Sequence, residues 1–94
     1  MYSYRNIKNN QTIGYSQEKI VNGKNCLCEF AIKKQVDIFK TYFFCVETKH
    51  IDTIEEYAHD ELLDFTSLED AVNYLKSKGA NEYLLKPMKG ISIF

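Results

Sequence analysis

The chain has 94 residues, of which 45% are hydrophobic and 27% charged, and its net charge is −1. These fractions describe one ordinary globular domain over residues 1–94 and exclude a disordered chain; at this size about 60–65% of the unfolded surface is buried, enough for a single core. Near-neutral charge gives no global attraction to nucleic acid or membrane, and no apolar run approaches the roughly 20 residues of a membrane span.

The three cysteines, Cys26, Cys28 and Cys45, are an odd number, which argues against a disulfide-stapled secreted module. The amino-terminal residues Met1-Tyr2-Ser3-Tyr4-Arg5 lack the apolar core of a signal peptide. A soluble, cytoplasmic protein is the expectation. Net charge hides a segregation along the chain. Residues 1–46 carry seven basic and three acidic side chains, residues 47–70 one Lys against nine acids, and residues 71–94 four Lys against one Glu. This asymmetry is the most informative compositional feature.

Taken in order, Tyr2 to Lys8 reads as a short strand and Asn9-Asn10 as a turn. Asn22-Gly23 is the strongest two-residue hairpin signature, because a type I′ turn needs positive φ at both positions. Pairing residues whose numbers sum to 45 sets Ile13 opposite Ile32, Tyr15 opposite Phe30, Gln17 opposite Cys28 and Lys19 opposite Cys26. The mostly apolar side chains then share one face, as a half-buried antiparallel pair requires, and a slip by one residue mixes the faces. The hairpin is expected at 11–21 with 24–34. A third strand over Asp37–Glu47 carries Ile38, Tyr42, Phe44 and Val46 on one side and Phe39, Phe43 and Cys45 on the other. Apolar on both sides, it reads as central. The preceding turn, Lys34–Val36, has no Gly or Pro, so its register stays open; one choice places Cys45 opposite Cys26.

Two helices are predicted next. The first runs from Asp52 to about Asp64, with Ile54, Tyr57, Ala58 and Leu62 at the i, i+3, i+4, i+8 positions of a buried stripe; Leu62-Leu63-Asp64-Phe65 either ends it or forms a short extended link. Thr66 and Glu69 stand at capping-box spacing before the second, whose stripe is Leu68, Ala71, Val72 and Leu75 and whose left-handed stop is Gly79. The tail, Glu82–Lys86 and Ile91–Phe94, reads as a hairpin around Pro87-Met88-Lys89-Gly90. The expected fold is α+β: an antiparallel sheet, a three-stranded meander plus a carboxy-terminal hairpin, with one or two helices on one face.

No catalytic or nucleotide-binding motif stands out, and neither enzyme activity nor a cofactor is expected. His50 and His59, with Glu55, Glu56 and Asp60 nearby, fit no HExxH pattern, so no metal site is predicted. Cys26 and Cys28 alternate with Phe30 and Ile32 on the core face, where cysteine behaves as a small hydrophobe. Lys33, Lys34 and Lys40 with Tyr42 and Phe43 suggest a basic aromatic face that stacks single-stranded nucleic acid or serves a regulatory module, although strand aromatics are more often core. An open sheet edge, or the outer face of the third strand, offers a route to a homodimer.

The acid of segment 47–70 has a plain reading, a solvated helix face, and a sharper one, a docking surface. Acid concentrated beyond local neutralisation costs self-repulsion, and it speeds encounter with a positive partner. The expectation is a small bacterial interaction protein of the immunity type. It would inhibit a basic partner such as a nuclease toxin, with Asp52, Glu55, Glu56, Tyr57, His59, Asp60 and Asp64 at the interface.

Overall fold

The computed structural model describes residues 3–49 and 59–88, with backbone only for His59 and Asp60. Five strands form one antiparallel sheet: β1 (Thr12–Val21), β2 (Lys24–Gln35), β3 (Ile38–Glu47), β4 (His59–Phe65) and β5 (Lys86–Pro87), in the order β4-β3-β2-β1-β5. One α-helix, α1 (Leu68–Ser77), packs on one face. The fold is therefore α+β, a meander with an added carboxy-terminal strand.

The first hairpin follows its turn chemistry. Asn22 and Gly23 have φ of 52° and 78°, the positive values that a type I′ turn demands. Register is as the turn and the apolar pattern predict, with Ile13 opposite Ile32, Tyr15 opposite Phe30 and Lys19 opposite Cys26. The β2–β3 connection turns at Val36, whose φ is 51° and whose N–H donates to Asn9 Oδ1 at 2.7 Å. Cys28 lies opposite Cys45 and Phe30 opposite Phe43. Cys26 faces Glu47 instead, so the register that would pair it with Cys45 is not adopted. Tyr15, Phe30 and Phe43 make a row of rings across three strands, with centroids 5.2 and 5.6 Å apart. β3 is central, between β2 and β4.

The acidic stretch departs from expectation. His59 to Phe65 is a strand paired along β3, with Phe65 opposite Phe39 and Leu63 opposite Thr41, where a helix through Asp64 was expected. Pairing with β3 overrides a helical period carried into this region only by Leu62, and Leu62–Phe65 takes the extended alternative. Residues 52–58, the rest of that expected helix, lie outside the described residues. The chain start differs too: Tyr4–Asn6 forms a 3-10 turn rather than a strand, and it buries Tyr4 and Ile7 in the core.

Helix α1 begins at Ser67, not Thr66. Ser67 Oγ accepts from Asp70 N–H at 3.5 Å, and its carbonyl takes the first helical bond from Ala71 N–H at 3.1 Å. Both Thr66…Glu69 and Ser67…Asp70 have the spacing of a capping box, and local sequence alone does not separate them. Ala71, Val72 and Leu75 are buried and Leu68 packs beside them, the fully buried Val72 and Leu75 each contributing about 1.5–3 kcal/mol. At the other end Gly79 has φ 99°. Its N–H bonds the Lys76 carbonyl and Ala80 N–H bonds that of Leu75, closing a Schellman motif.

In the tail, Glu82–Leu84 is a 3-10 turn and only Lys86–Pro87 is strand, opposite Gly14 and Ile13. An edge position suits Pro87, which has no N–H to donate. The second arm expected there, Ile91–Phe94, lies outside the described residues.

Candidate functional site

β4 is an outer strand of the sheet among the described residues. Leu62 and Leu63 are 59% and 41% exposed, and Asp64 beside them is exposed and stands opposite Lys40. An edge strand offers a row of backbone donors and acceptors, and edges are usually blunted by Lys, Pro or a bulge. This one, His-Asp-Glu-Leu-Leu-Asp-Phe, has no Lys or Pro and carries acid instead.

The acids of this region do different work. Glu61 points to the helix side: Tyr74 Oη donates to its Oε2 at 2.8 Å, and Lys78 Nζ lies 3.3 Å from its Oε1. Lys78 also sits 5.7 Å from the Phe43 ring centroid and 5.8 Å from that of Tyr74. Burial first, then the hydrogen bond and charge of Glu61, hold the Tyr74 phenol well above its ordinary range. Glu69 pairs with Arg5 at 3.6 Å and accepts from Tyr4 Oη at 3.4 Å; burial raises that phenol too. Glu47 is paired with Lys49 at 3.4 Å. Among the described side chains, Asp64 and Asp70 are the exposed acids left for solvent or a partner.

Of the residues expected at an interface, Asp64 is on the surface of β4, and His59 and Asp60 are placed by their backbone opposite Cys45 and Phe44. Asp52, Glu55, Glu56 and Tyr57 lie outside the described residues. Leu62 and Leu63 are additions that helical reasoning missed, since a helix would have buried Leu62. An extended reading of Leu62–Phe65 was the one signal available for them.

The basic aromatic set is divided. Phe43 is buried in the core, 7% exposed, so it is no stacking platform. Lys34 lies 6.0 Å from the Phe39 ring on the same side of the sheet. Lys33 and Lys40 are opposite each other on the outer face, which also holds Tyr42. There Tyr42 stacks on Phe44, with centroids 6.3 Å apart and planes 14° from parallel.

Two further features complete the inventory. Cys28 and Cys45 have their Sγ atoms 3.0 Å apart, both as free thiols. Burial pushes the Cys26 thiol up and Cys45 up to about 11, so at neutral pH neither is a ready nucleophile. A shallow groove of about 430 Å³ lies along β1 where β5 ends, lined by Tyr15, Ser16, Gln17, Tyr83, Leu84, Leu85 and Lys86. Among the described residues no three His, Cys, Asp or Glu side chains converge as metal ligands. No helix there is long and apolar enough to cross a membrane.

Comparison of the chain with protein-family models, curated proteins and solved structures finds no match.

Proposed function

We propose that the protein is a small, cytoplasmic, non-enzymatic interaction protein that docks a positively charged protein partner along its acidic segment, residues 47–70. Its concrete form is a bacterial immunity-type inhibitor that covers the phosphate-binding cleft of a nuclease toxin. One observation carries the reading: exposed leucine and acid lie side by side on an outer strand among the described residues, Leu62 and Asp64 at i and i+2 on one face of β4, with Leu63 part-exposed on the other. Apolar contact surface beside uncommitted charge is what a partner-binding patch needs. The leucines supply buried area, and the carboxylates steer encounter and discriminate against wrong partners. The test is capture of a partner on the intact protein, followed by association kinetics at low and physiological salt. A basic partner whose association slows about tenfold or more across that range supports the reading. Salt-insensitive association overturns it.

A second reading rests on the outer face, where the Tyr42–Phe44 stack is flanked by Lys33 and Lys40. This is the chemistry of a single-strand nucleic-acid platform. Glu29, opposite Phe44, and Asp64, opposite Lys40, set negative charge into the same rows and weigh against it. Filter binding with single-stranded RNA at physiological salt separates the two, because the acidic-edge reading expects no retention.

A further inference from the structure

We propose that Cys28 and Cys45 form a site of reversible oxidation, at which hydrogen peroxide converts the two thiols to a cross-strand disulfide stapling β2 to β3.

The placement comes from register. The two residues are direct partners in the β2–β3 ladder, and both lie on the face that α1 covers. Directly opposed residues of an antiparallel pair hold their Cβ atoms about 4.5–5.5 Å apart, and a disulfide needs about 3.5–4.5 Å. Their sulfurs are 3.0 Å apart, so about 1 Å of approach brings them to the roughly 2.05 Å of a bond. Cys26 Sγ donates to the Lys24 carbonyl at 3.6 Å, and it stands on the diagonal from Cys45, opposite Glu47. Diagonal positions are about 7–8 Å apart, beyond what a disulfide spans without backbone movement. Geometry thus selects one pair out of three thiols.

Exposure sets the order of events. Cys28 is fully buried and Cys45 half-buried, so the peroxide meets Cys45 first. The Cys45 thiolate attacks the O–O bond, takes one oxygen as sulfenic acid, and the other oxygen leaves with a proton as water. Cys28 then attacks the Cys45 sulfur, and its proton departs with the hydroxyl as a second water. Two thiols give up two electrons, one peroxide accepts them, and the Sγ–Sγ bond forms. The raised Cys45 thiol makes the first step slow at neutral pH and faster in alkali.

The experiment treats the intact folded protein with hydrogen peroxide, blocks remaining thiols with N-ethylmaleimide and measures mass. The expected product is lighter than reduced protein by about 2 Da before alkylation, carries a single alkyl group, and reverts with dithiothreitol. Fragmentation of the joined peptides places the alkyl group on Cys26. The oxidised form melts higher by roughly 10 °C, since the bridge closes a loop of this length, and oxidation quickens about tenfold per pH unit between 7 and 9. Cys26→Ser oxidises at the wild-type rate, whereas Cys45→Ala loses the 2 Da product. The wild-type peptide map stands even if a variant fails to fold. A Cys26–Cys45 bridge, or stepwise oxygen addition to the thiols without a bridge, overturns the proposal.

Discussion

Tyr74 of the helix donates a 2.8 Å hydrogen bond to Glu61 of the edge strand, and Lys78, one helical turn further on, reaches the other oxygen of the same carboxylate at 3.3 Å. Residues at i and i+4 lie on one helix face, so α1 grips β4 with two donors on a single acid. The Phe65 ring packs on Tyr74 with centroids 5.6 Å apart, adding an apolar contact to the same junction. Glu61 is thus committed to holding the edge of the sheet in place, and it presents no surplus charge to a partner.

Removing that carboxylate should loosen the junction in proportion to what is lost. Glu61→Gln keeps an acceptor for Tyr74 but gives up the attraction to Lys78, whose side chain is 33% exposed. With solvent screening this costs about 1 kcal/mol. Glu61→Ala removes both interactions and should cost about 2 kcal/mol. Urea denaturation of the three proteins checks the order, and equal midpoints for wild type and Glu61→Ala would contradict it.

The same contact sets an alkaline limit. Tyr74 is held above its unfolded value by burial and by the adjacent Glu61, so the folded state binds its proton more tightly than the unfolded chain does. Its contribution is fully present below about pH 10, the unfolded value, and is lost as pH rises through the raised folded value. Denaturation midpoints at pH 8, 10 and 11 should fall over the upper interval, less so in Tyr74→Phe. Tyrosinate absorbance should show at least one phenol titrating only on unfolding.

Gly14 lies where β2 leaves no room for a side chain. A Cβ there would collide with the Phe30 carbonyl oxygen and lie 2.9 Å from the Ala31 Cα, both backbone atoms, and 2.8 Å from Met88 Sδ. Met88 can swing away, but the β1–β2 ladder cannot open without losing hydrogen bonds. Gly14→Ala should therefore destabilise by about 3 kcal/mol, at the upper end of overpacking, and thermal melting checks it. An unchanged midpoint would mean that β2 yields more easily than its ladder implies.

What the sequence made legible follows from how local each signal is. The β1–β2 register could be read because Asn22-Gly23 fixes the turn and only one pairing segregates the apolar residues. The β2–β3 register could not, because its turn residue, Val36, adopts φ 51°, a conformation that β-branched residues rarely take. That uncertainty also hid the Cys28–Cys45 juxtaposition. β4 was hard to read for a non-local reason: Glu61 to Phe65 does not alternate, and its partner strand ends twelve residues upstream. Surface acid could be counted from the sequence. Its division between Glu61, bound to α1, and Asp64, exposed, depends on which side of a strand each residue occupies.

That division yields a functional prediction. Asp64→Asn should leave stability within about 0.5 kcal/mol of wild type, because the residue is exposed and the change sets no like charge opposite Lys40. It should also slow association with a basic partner several-fold while changing dissociation little. Glu61→Gln should do the reverse, lowering stability and sparing the association rate. Stopped-flow association alongside urea melts distinguishes the two residues, and identical behaviour would undo the assignment of docking charge to Asp64.

Val36 offers the converse test, a gain of stability. It is 71% exposed, contributes nothing to the core, and holds φ at 51°, where the left-handed conformation costs an L-residue roughly 1–2 kcal/mol. Its only specific contact among those described is the N–H donated to Asn9 Oδ1 at 2.7 Å, and glycine retains that N–H. Val36→Gly therefore relieves the strain and keeps the hydrogen bond, though it adds freedom to the unfolded chain, which offsets about half the gain. The net expectation is a stabilisation of about 0.5–1 kcal/mol. Val36→Asn tolerates the same φ with less unfolded-state entropy and should match or exceed it. Val36→Pro, locked near φ −65° and lacking the N–H, should cost about 3 kcal/mol or more. Urea midpoints in the order Asn or Gly above wild type, and Pro far below, confirm that the turn is strained at this residue; a destabilised Val36→Gly shows that it is not.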